Sequence, residues 1–376
     1  MFWQREYVRE AVSMTLNDTY RLDLPEHGLL GSLLLRISGA QASGYGQTGA
    51  DWRIIDELSK LQILLESSNI CKSLTGYEVQ ALAFYDQGVM PPDTWRNYAT
   101  NTQWCYLLLN FGRHLHDLDY GLDLAKFNNV EFQLTNTATS SDFSDLTLSV
   151  LAHYLRDASP SQFKGFLRTE EWRSWTTVAD ETKYSDLPTE FPIRRVMLQA
   201  IPGVDGSYVE NTGMNNLMDD IELALDTGVT RVYKGGIDDL MRENYYDTGK
   251  VVLKGGFPYQ SADNGIDISM GYVTEAIVGA GSQDGAVAAT IATLESGRTS
   301  FTQKMETYEA DSPGCLLVNG LAPFMTALFR FDHSPNAADW LDPAKRASVQ
   351  LNIHTRNASS AASGRNAIVL DRLVRP

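Results

Sequence analysis

Apolar and polar side chains alternate in short runs along most of the chain, and several of these runs come in pairs. Leu122 to Leu134 reads LDLAKFNNVEFQL and Leu341 to Ile353 reads LDPAKRASVQLNI; aligned without a gap, Leu, Asp, Ala, Lys and Val coincide. In each, a helix-like turn leads into a strand with one apolar face. Val130, Phe132 and Leu134 alternate with Glu131 and Gln133, and Val349, Leu351 and Ile353 alternate with Gln350 and Asn352. A period of two with a single apolar face marks a half-buried β-strand.

Other landmarks repeat in the same order. Asp23-Leu24-Pro25 returns as Asp186-Leu187-Pro188, a shift of 186 − 23 = 163. The strands that follow put Leu33, Leu35 and Ile37, or Val196, Leu198 and Ala200, on one face. Next come DELSKLQILLE, with Leu61, Ile63 and Leu65 aligned, and DDIELALD, with Ile221, Leu223 and Leu225, a shift of 221 − 61 = 160. Each is followed by a short strand and a helix start: Thr75 and Glu78 form a capping box before Val79, Leu82 and Ala83, and Gly236 and Asp239 hold those places before Leu240. Trp104–Phe111 and Phe324–Phe331 are the next matched strands. The opening pair then aligns with a shift of 341 − 122 = 219. The excess, 219 − 160 = 59, places an insertion within about residues 248–314, a stretch rich in Gly, Ala, Ser and Thr. Surface loops absorb such insertions at small thermodynamic cost. Leu146–Leu155 and Ala367–Leu373 close the two copies alike.

The pattern predicts an all-β protein of two tandem rolls. Each has about eight short strands, with one helix between its fourth and fifth strands and a long insertion in the second roll. Boundaries fall at 1–14 for an N-terminal segment, 15–157 for roll 1, 158–182 for a linker and 183–376 for roll 2. Residues 1–14 read as a short helix carrying Phe2, Trp3 and Tyr7, with Arg5 and Arg9 interspersed. Such a segment suits a lipid interface, or packing on its own domain or a neighbouring subunit. The linker holds a short helix over SPSQFKGFL and then a polar strand.

Charge narrows the function. With Lys and Arg numbering 31 against 47 Asp and Glu, the net charge is −16 and no basic run occurs. Binding to phosphate backbones draws on counterion release by clustered cations, so direct nucleic-acid binding over a large surface is not expected. The three cysteines, Cys71, Cys105 and Cys315, form no CxxC pair and read as small buried apolar residues. No apolar run reaches the length of a membrane span, and no signal peptide is expected.

Candidate chemistry is sparse. His114-x-His116 is the best metal motif, but a cupin site needs a glycine six residues before the first His, where Leu108 stands, and a glutamate after the second. Asp117, Asp119, Gly121 and Asp123 resemble a calcium loop, yet Leu122 takes the place of the required glycine and Asn128 that of the closing glutamate. Gly279, Gly281 and Gly285 lack dinucleotide-binding spacing and read as loop residues. No GxSxG, HExxH or P-loop motif is present. Neither catalytic residue, metal nor cofactor is expected. Phe257, Tyr259 and Tyr272 in the insertion are the residues a carbohydrate- or receptor-binding sandwich would use.

The paired Asp-Leu-Pro openings, the DELSKLQILL and DDIELAL strands, the strand pairs 104–134 and 324–353 and the insertion in one roll resemble the double-jelly-roll major capsid proteins of tailless icosahedral viruses. That lineage includes membrane-containing bacterial and archaeal viruses. The resemblance covers nearly the whole chain as pattern and order, without a diagnostic motif. It implies a structural protein, not an enzyme: a homotrimer whose six rolls make a pseudo-hexagonal capsomer. It further implies a virion assembled in the host cytoplasm, with neighbouring capsomers, minor capsid and vertex proteins and an internal membrane as partners. Phe2, Trp3 and Tyr7 would face that membrane, and the insertion would form a tower. A two-domain cupin-like metalloenzyme and a carbohydrate- or receptor-binding β-sandwich are the alternatives.

Overall fold

The computed structural model describes residues 1–42, 53–93, 95–96, 102–159, 161–201, 214–258, 265–267, 270–281, 287–292, 300–302, 313–356 and 364–375. Roll 1 is built from β1 (Phe2–Met14), β2 (Thr19–Asp23), β3 (Leu29–Ala40), β4 (Lys60–Leu65), β5 (Asn69–Leu74), helix α1 (Gly76–Gln87), β6 (Thr102–Asn110), β7 (Val130–Thr135) and β8 (Leu146–Arg156). Roll 2 opens with β9 (Phe166–Thr176), β10 (Thr182–Asp186), β11 (Ile193–Ile201), β12 (Asp220–Leu225), β13 (Thr230–Gly236) and helix α2 (Ile237–Thr248). The inserted strands β14 (Val251–Pro258), β15 (Met270–Gly281), β16 (Val287–Ala292) and β17 (Pro313–Pro323) follow. Roll 2 then closes with β18 (Thr326–Arg330), β19 (Val349–His354) and β20 (Arg365–Val374).

The two rolls share one wiring. Roll 1 has sheets β1-β8-β3-β6 and β2-β7-β4-β5, and roll 2 has β9-β20-β11-β18 and β10-β19-β12-β13. Each roll therefore pairs its first, eighth, third and sixth strands in one sheet and its second, seventh, fourth and fifth in the other. The correspondence reaches single residues. β1 slips against β8 after Tyr7, and β9 slips against β20 after Glu171. β3 is bulged between Ser32 and Leu30, and β11 between Arg195 and Ile193. β5 is bulged between Lys72 and Ile70, and β13 between Tyr233 and Arg231. Bulges re-aim a strand and are specific features of a fold. Three shared bulges fix which residue of one roll corresponds to which of the other.

Local chemistry explains the repeated elements. Asp123 accepts from the Ala125 amide and Asp342 from the Ala344 amide, both at 3.2 Å, so each LDxAK segment is a capped 3-10 turn leading to its strand. Thr75 and Glu78 form the expected capping box on α1, and Gly88 ends that helix at φ 71°. α2 begins after Gly236, as expected, without a side-chain cap.

Three expectations are corrected. Residues 1–14 are not a helix but the first strand of roll 1, paired along its length with β8. An edge strand exposes one side and many polar positions, so its pattern eluded both periods. Residues 158–182 are not a linker: the described residues of SPSQFKGFL form no helix, and β9 within it is the first strand of roll 2. With these strands counted, each helix follows the fifth strand of its roll and not the fourth.

The apolar core of roll 1 holds Leu33, Leu35, Ile37, Phe132, Leu134 and Leu148, all with no exposed surface. That of roll 2 holds Val196, Leu198, Leu223, Leu351 and Leu370. The inserted strands form their own sheet, β16-β15-β17-β14, which also takes in the two-residue strand Trp95–Arg96 of roll 1. Its base is not a free decoration. Val251, Leu253, Met270 and Val318 are buried within the core cluster of roll 1.

Candidate functional surfaces: the seam between the rolls and the free strand edges

The rolls meet where β5 runs parallel to β9, with Lys72 opposite Thr169 and Ser73 opposite Glu170. This contact fuses one sheet from each roll into a continuous eight-stranded sheet, β2-β7-β4-β5-β9-β20-β11-β18. Apolar side chains cross the same boundary: Met197, Leu328 and Val369 of roll 2 pack into the core of roll 1. Tyr85, near the end of α1, is 3% exposed and donates its hydroxyl to the Thr326 carbonyl at 2.9 Å. Burial pushes its pKa up.

A buried ionic network lies at the centre of this seam. Arg194 donates to Asp332 at 2.6 Å, to Asp371 at 3.0 Å, to Asp86 at 3.0 Å and to the Arg113 carbonyl at 2.8 Å. Arg195 donates to Asp86 at 2.6 Å, and Asn110 donates to the other oxygen of that carboxylate. Lys72 donates to the Thr169 hydroxyl at 2.6 Å, which in turn donates a hydrogen bond to Asp371 at 2.8 Å. Lys72, Arg194 and Arg195 thus face Asp86, Asp332 and Asp371, and Arg330 also donates to Asp332 at 2.8 Å from the rim. Burial alone opposes the charge on Arg194, but Asp86, Asp371 and Asp332 outweigh it and raise its pKa. Burial likewise works against the Asp332 carboxylate, which Arg194 and Arg195 hold well below the usual range. Lys72 is pulled down by burial, with Asp371 acting against the shift. Such a network discriminates sharply between the correct docking of two surfaces and any other, because a misplaced charge stays buried and unpaired.

The sequence-predicted residues lie elsewhere, and most are engaged structurally. Both carboxylate oxygens of Asp117 accept from Arg113. Asp119 is held by Arg113 and Lys164, and Asp123 is a turn cap, so the acidic run is occupied by protein donors. His116 stacks on His153 with ring centroids 5.3 Å apart, and the Trp3 ring lies 5.1 Å from His116. His114 is close to the Leu115 carbonyl, so the two histidines of the motif do not converge on one ligand point. Among the described residues, no group of three or more His, Cys, Asp or Glu side chains is placed to hold a metal. Burial, aided by His116 and Arg5, pushes His153 down to about 4. Cys71 and Cys105 are buried thiols, and burial pushes Cys71 up to about 12.

Of the N-terminal aromatics, Phe2 and Tyr7 are exposed, whereas Trp3 is half-buried over Gly31, where a Cβ would come within 2.5 Å of its ring. Gly279 and Gly281 belong to β15, and Gly285 lies outside the described residues. Tyr272 packs against the roll 2 core, and Tyr259 is also outside the described residues. Sequence reasoning missed the seam altogether. Its one signal was Arg194-Arg195 inside the otherwise apolar strand IRRVMLQAI.

The free edges are the remaining feature. β1, at the edge of its sheet, and β13, at the edge of its own, are the counterparts of β9 and β5, and among the described residues neither has a strand partner on its outer side. Near β13 the side chains of Val229, Val232 and Tyr246 are exposed.

No family model matches the sequence, and no curated protein matches it. Solved structures match it end to end. The STIV MCP aligns with a TM-score of 0.61 at 12% identity, covering 100% of this chain and 98% of that one. A chain in the atomic structure of Sulfolobus turreted icosahedral virus gives 0.60 at 12% identity, covering 100% and 91%. The major capsid protein P2 from bacteriophage PM2 gives 0.52 at 9% identity, covering 99% and 98%. The fold is the double jelly roll that the sequence resemblance implied.

Proposed function

We propose that this chain is the major capsid subunit of a tailless icosahedral virus and works by assembly, not catalysis. The observation that carries the reading is the pair of congruent rolls locked by one sheet and one buried ionic network, matched along its whole length by solved capsid proteins. In the full reading three copies form a capsomer whose six rolls give nearly sixfold sides, which tile a shell with few interface types. Neighbouring capsomers, minor capsid and vertex proteins are its partners, and the virion, assembled in the host cytoplasm, is its location. The acidic charge suits a shell that does not contact the genome.

An internal membrane would meet one end of the rolls. Phe2, exposed at the start of β1, is best placed to reach it; Tyr7 is exposed further along and Trp3 is turned inward. Flotation with anionic liposomes tests this, and equal flotation of wild type and Phe2→Ser removes Phe2 from the contact. The capsid reading itself is tested by mass measurement of purified protein and electron microscopy of concentrated samples. Trimers that pack into hexagonal arrays are expected. A stable monomer with bound transition metal would favour the cupin alternative.

A further inference from the structure

Roll 1 keeps open a cleft that roll 2 has filled. The cleft measures about 460 Å3 and lies between β1, the turn joining β2 to β3 and the end of β8. Tyr154 lines it; this side chain is 2% exposed, and its hydroxyl is buried without a hydrogen-bond partner. The shared bulges identify the counterparts in the sister roll. Glu6, Val8, Gly28 and Tyr154 of roll 1 correspond to Glu170, Trp172, Phe191 and Arg372 of roll 2. There Arg372 bonds Glu170, and its guanidinium lies 5.7 Å from the Trp172 ring and 5.9 Å from that of Phe191. A cation and two aromatic rings thus plug the place in roll 2. In roll 1, Val8 and Gly28 leave it open. Gly28 has φ 132°, and a Cβ there would come within 3.1 Å of the Tyr154 ring.

The lining carries both signs of charge: Arg9 and Arg156, with His27, against Glu6, Asp23 and Glu26. Arg156 sits 5.0 Å over the Tyr154 ring and 3.9 Å from Glu6. An anion alone would meet the carboxylates, and a cation alone would meet the guanidiniums. A ligand with a phosphate and an ammonium a few bonds apart satisfies both sets. We propose that this cleft binds the zwitterionic headgroup of a phosphatidylethanolamine-type lipid. Arg9 and Arg156 take the phosphate, Glu6, Asp23 and Glu26 accept from the primary ammonium, and the Tyr154 hydroxyl donates to a phosphate oxygen. Burial, with Glu6, pushes the Tyr154 pKa up to about 12, so that hydroxyl keeps the proton it would donate.

The position of the cleft favours a lipid over a free phosphate ester. Phe2 pairs with Arg156 at its rim and is 55% exposed, so an apolar anchor stands beside a polar site. The cleft also opens at the end of the molecule away from the insertion. The rolls run in the same sense, because β5 and β9 are parallel. β11 starts at Ile193, level with the cleft, and the insertion rejoins roll 2 near its other end, where Thr326 pairs with Gln199. The inference rests on the membrane contact proposed above and names the lipid chemistry that contact would read.

The test is flotation of the full chain with phosphatidylcholine vesicles, with and without phosphatidylethanolamine. Both vesicles are neutral, so a preference reads the headgroup and not surface charge. Phosphatidylethanolamine should raise the bound fraction about fivefold or more. Phosphatidylglycerol, which has the phosphate but no ammonium, should raise it less. Val8→Trp, which copies the plug of roll 2, and Glu26→Lys, on an exposed turn, should each remove the preference. Tyr154→Phe should weaken it without lowering the melting temperature, since the hydroxyl has no partner to lose. If wild type floats without a preference, or all three variants keep it, the cleft is overturned and the membrane contact through Phe2 stands. If calorimetry shows phosphoethanolamine binding in solution while no vesicle binds, the site takes a free phosphate ester and the lipid assignment falls. If neither binds, the cleft and the membrane contact fall together, and trimer formation still judges the capsid reading separately.

Discussion

Arg194 shows how much one side chain can decide. Its guanidinium has donors committed to three carboxylates and a carbonyl, in a site 2% exposed. Replacing it with Met keeps the volume but leaves Asp86, Asp332 and Asp371 with too few cations in a buried setting. Arg194→Met should therefore lower unfolding free energy by about 3–5 kcal/mol, measured by denaturant titration. Arg231→Ala, which breaks an exposed pair with Glu222, should change it by under about 1 kcal/mol. His153 supplies a pH dependence. Its pKa is depressed to about 4 by burial, His116 and Arg5, so the unfolded chain binds its proton more readily. Its contribution is complete above about pH 6.5 and is lost as pH falls through about 4. A melting-temperature profile should show His153→Gln less acid-sensitive than wild type across that window; parallel profiles would refute the assignment.

At the level of elements, the legible features were those with strong local chemistry. The LDxAK turns, the Thr75–Glu78 box and the inward faces of β3, β4 and β7 follow from capping and from a period of two, and each lies where expected. β1 and β9 were misread for a physical reason. β1 is an edge strand with two irregularities and mostly exposed positions, and β9 carries Arg168, Glu170, Glu171 and Arg173 because part of it serves the seam and part faces solvent. A strand selected for a neighbour's surface does not alternate cleanly. The seam partners stayed invisible because Asp86, Arg194, Asp332 and Asp371 are far apart in sequence and become one site only through the fold. Cap chemistry gives its own prediction: Thr75→Ala should cost about 1 kcal/mol, and Asp342→Ala a comparable or smaller amount.

For the whole molecule, the insertion divides into parts of different importance. Its base contributes Val251, Leu253, Met270 and Val318 to the core, each worth about 1.5–3 kcal/mol when buried. Excising Val251–Pro323 should therefore prevent folding of both rolls. Shortening only the connection between β15 and β16 should leave the melting temperature within a few degrees, as differential scanning calorimetry would show. The eight-stranded sheet has a mechanical consequence. Because one sheet runs from β2 to β18, crossing between the rolls at the Lys72–Thr169 and Ser73–Glu170 pairs, the described residues hold the two rolls together through backbone and not through a tether alone. A pull across the molecule is met by strands, not by a tether, so the two rolls should fail together. In a single-molecule force experiment the described body should rupture in one event, without the two evenly spaced peaks of beads on a string. A wall made of such blocks would yield between its blocks before it yielded within them.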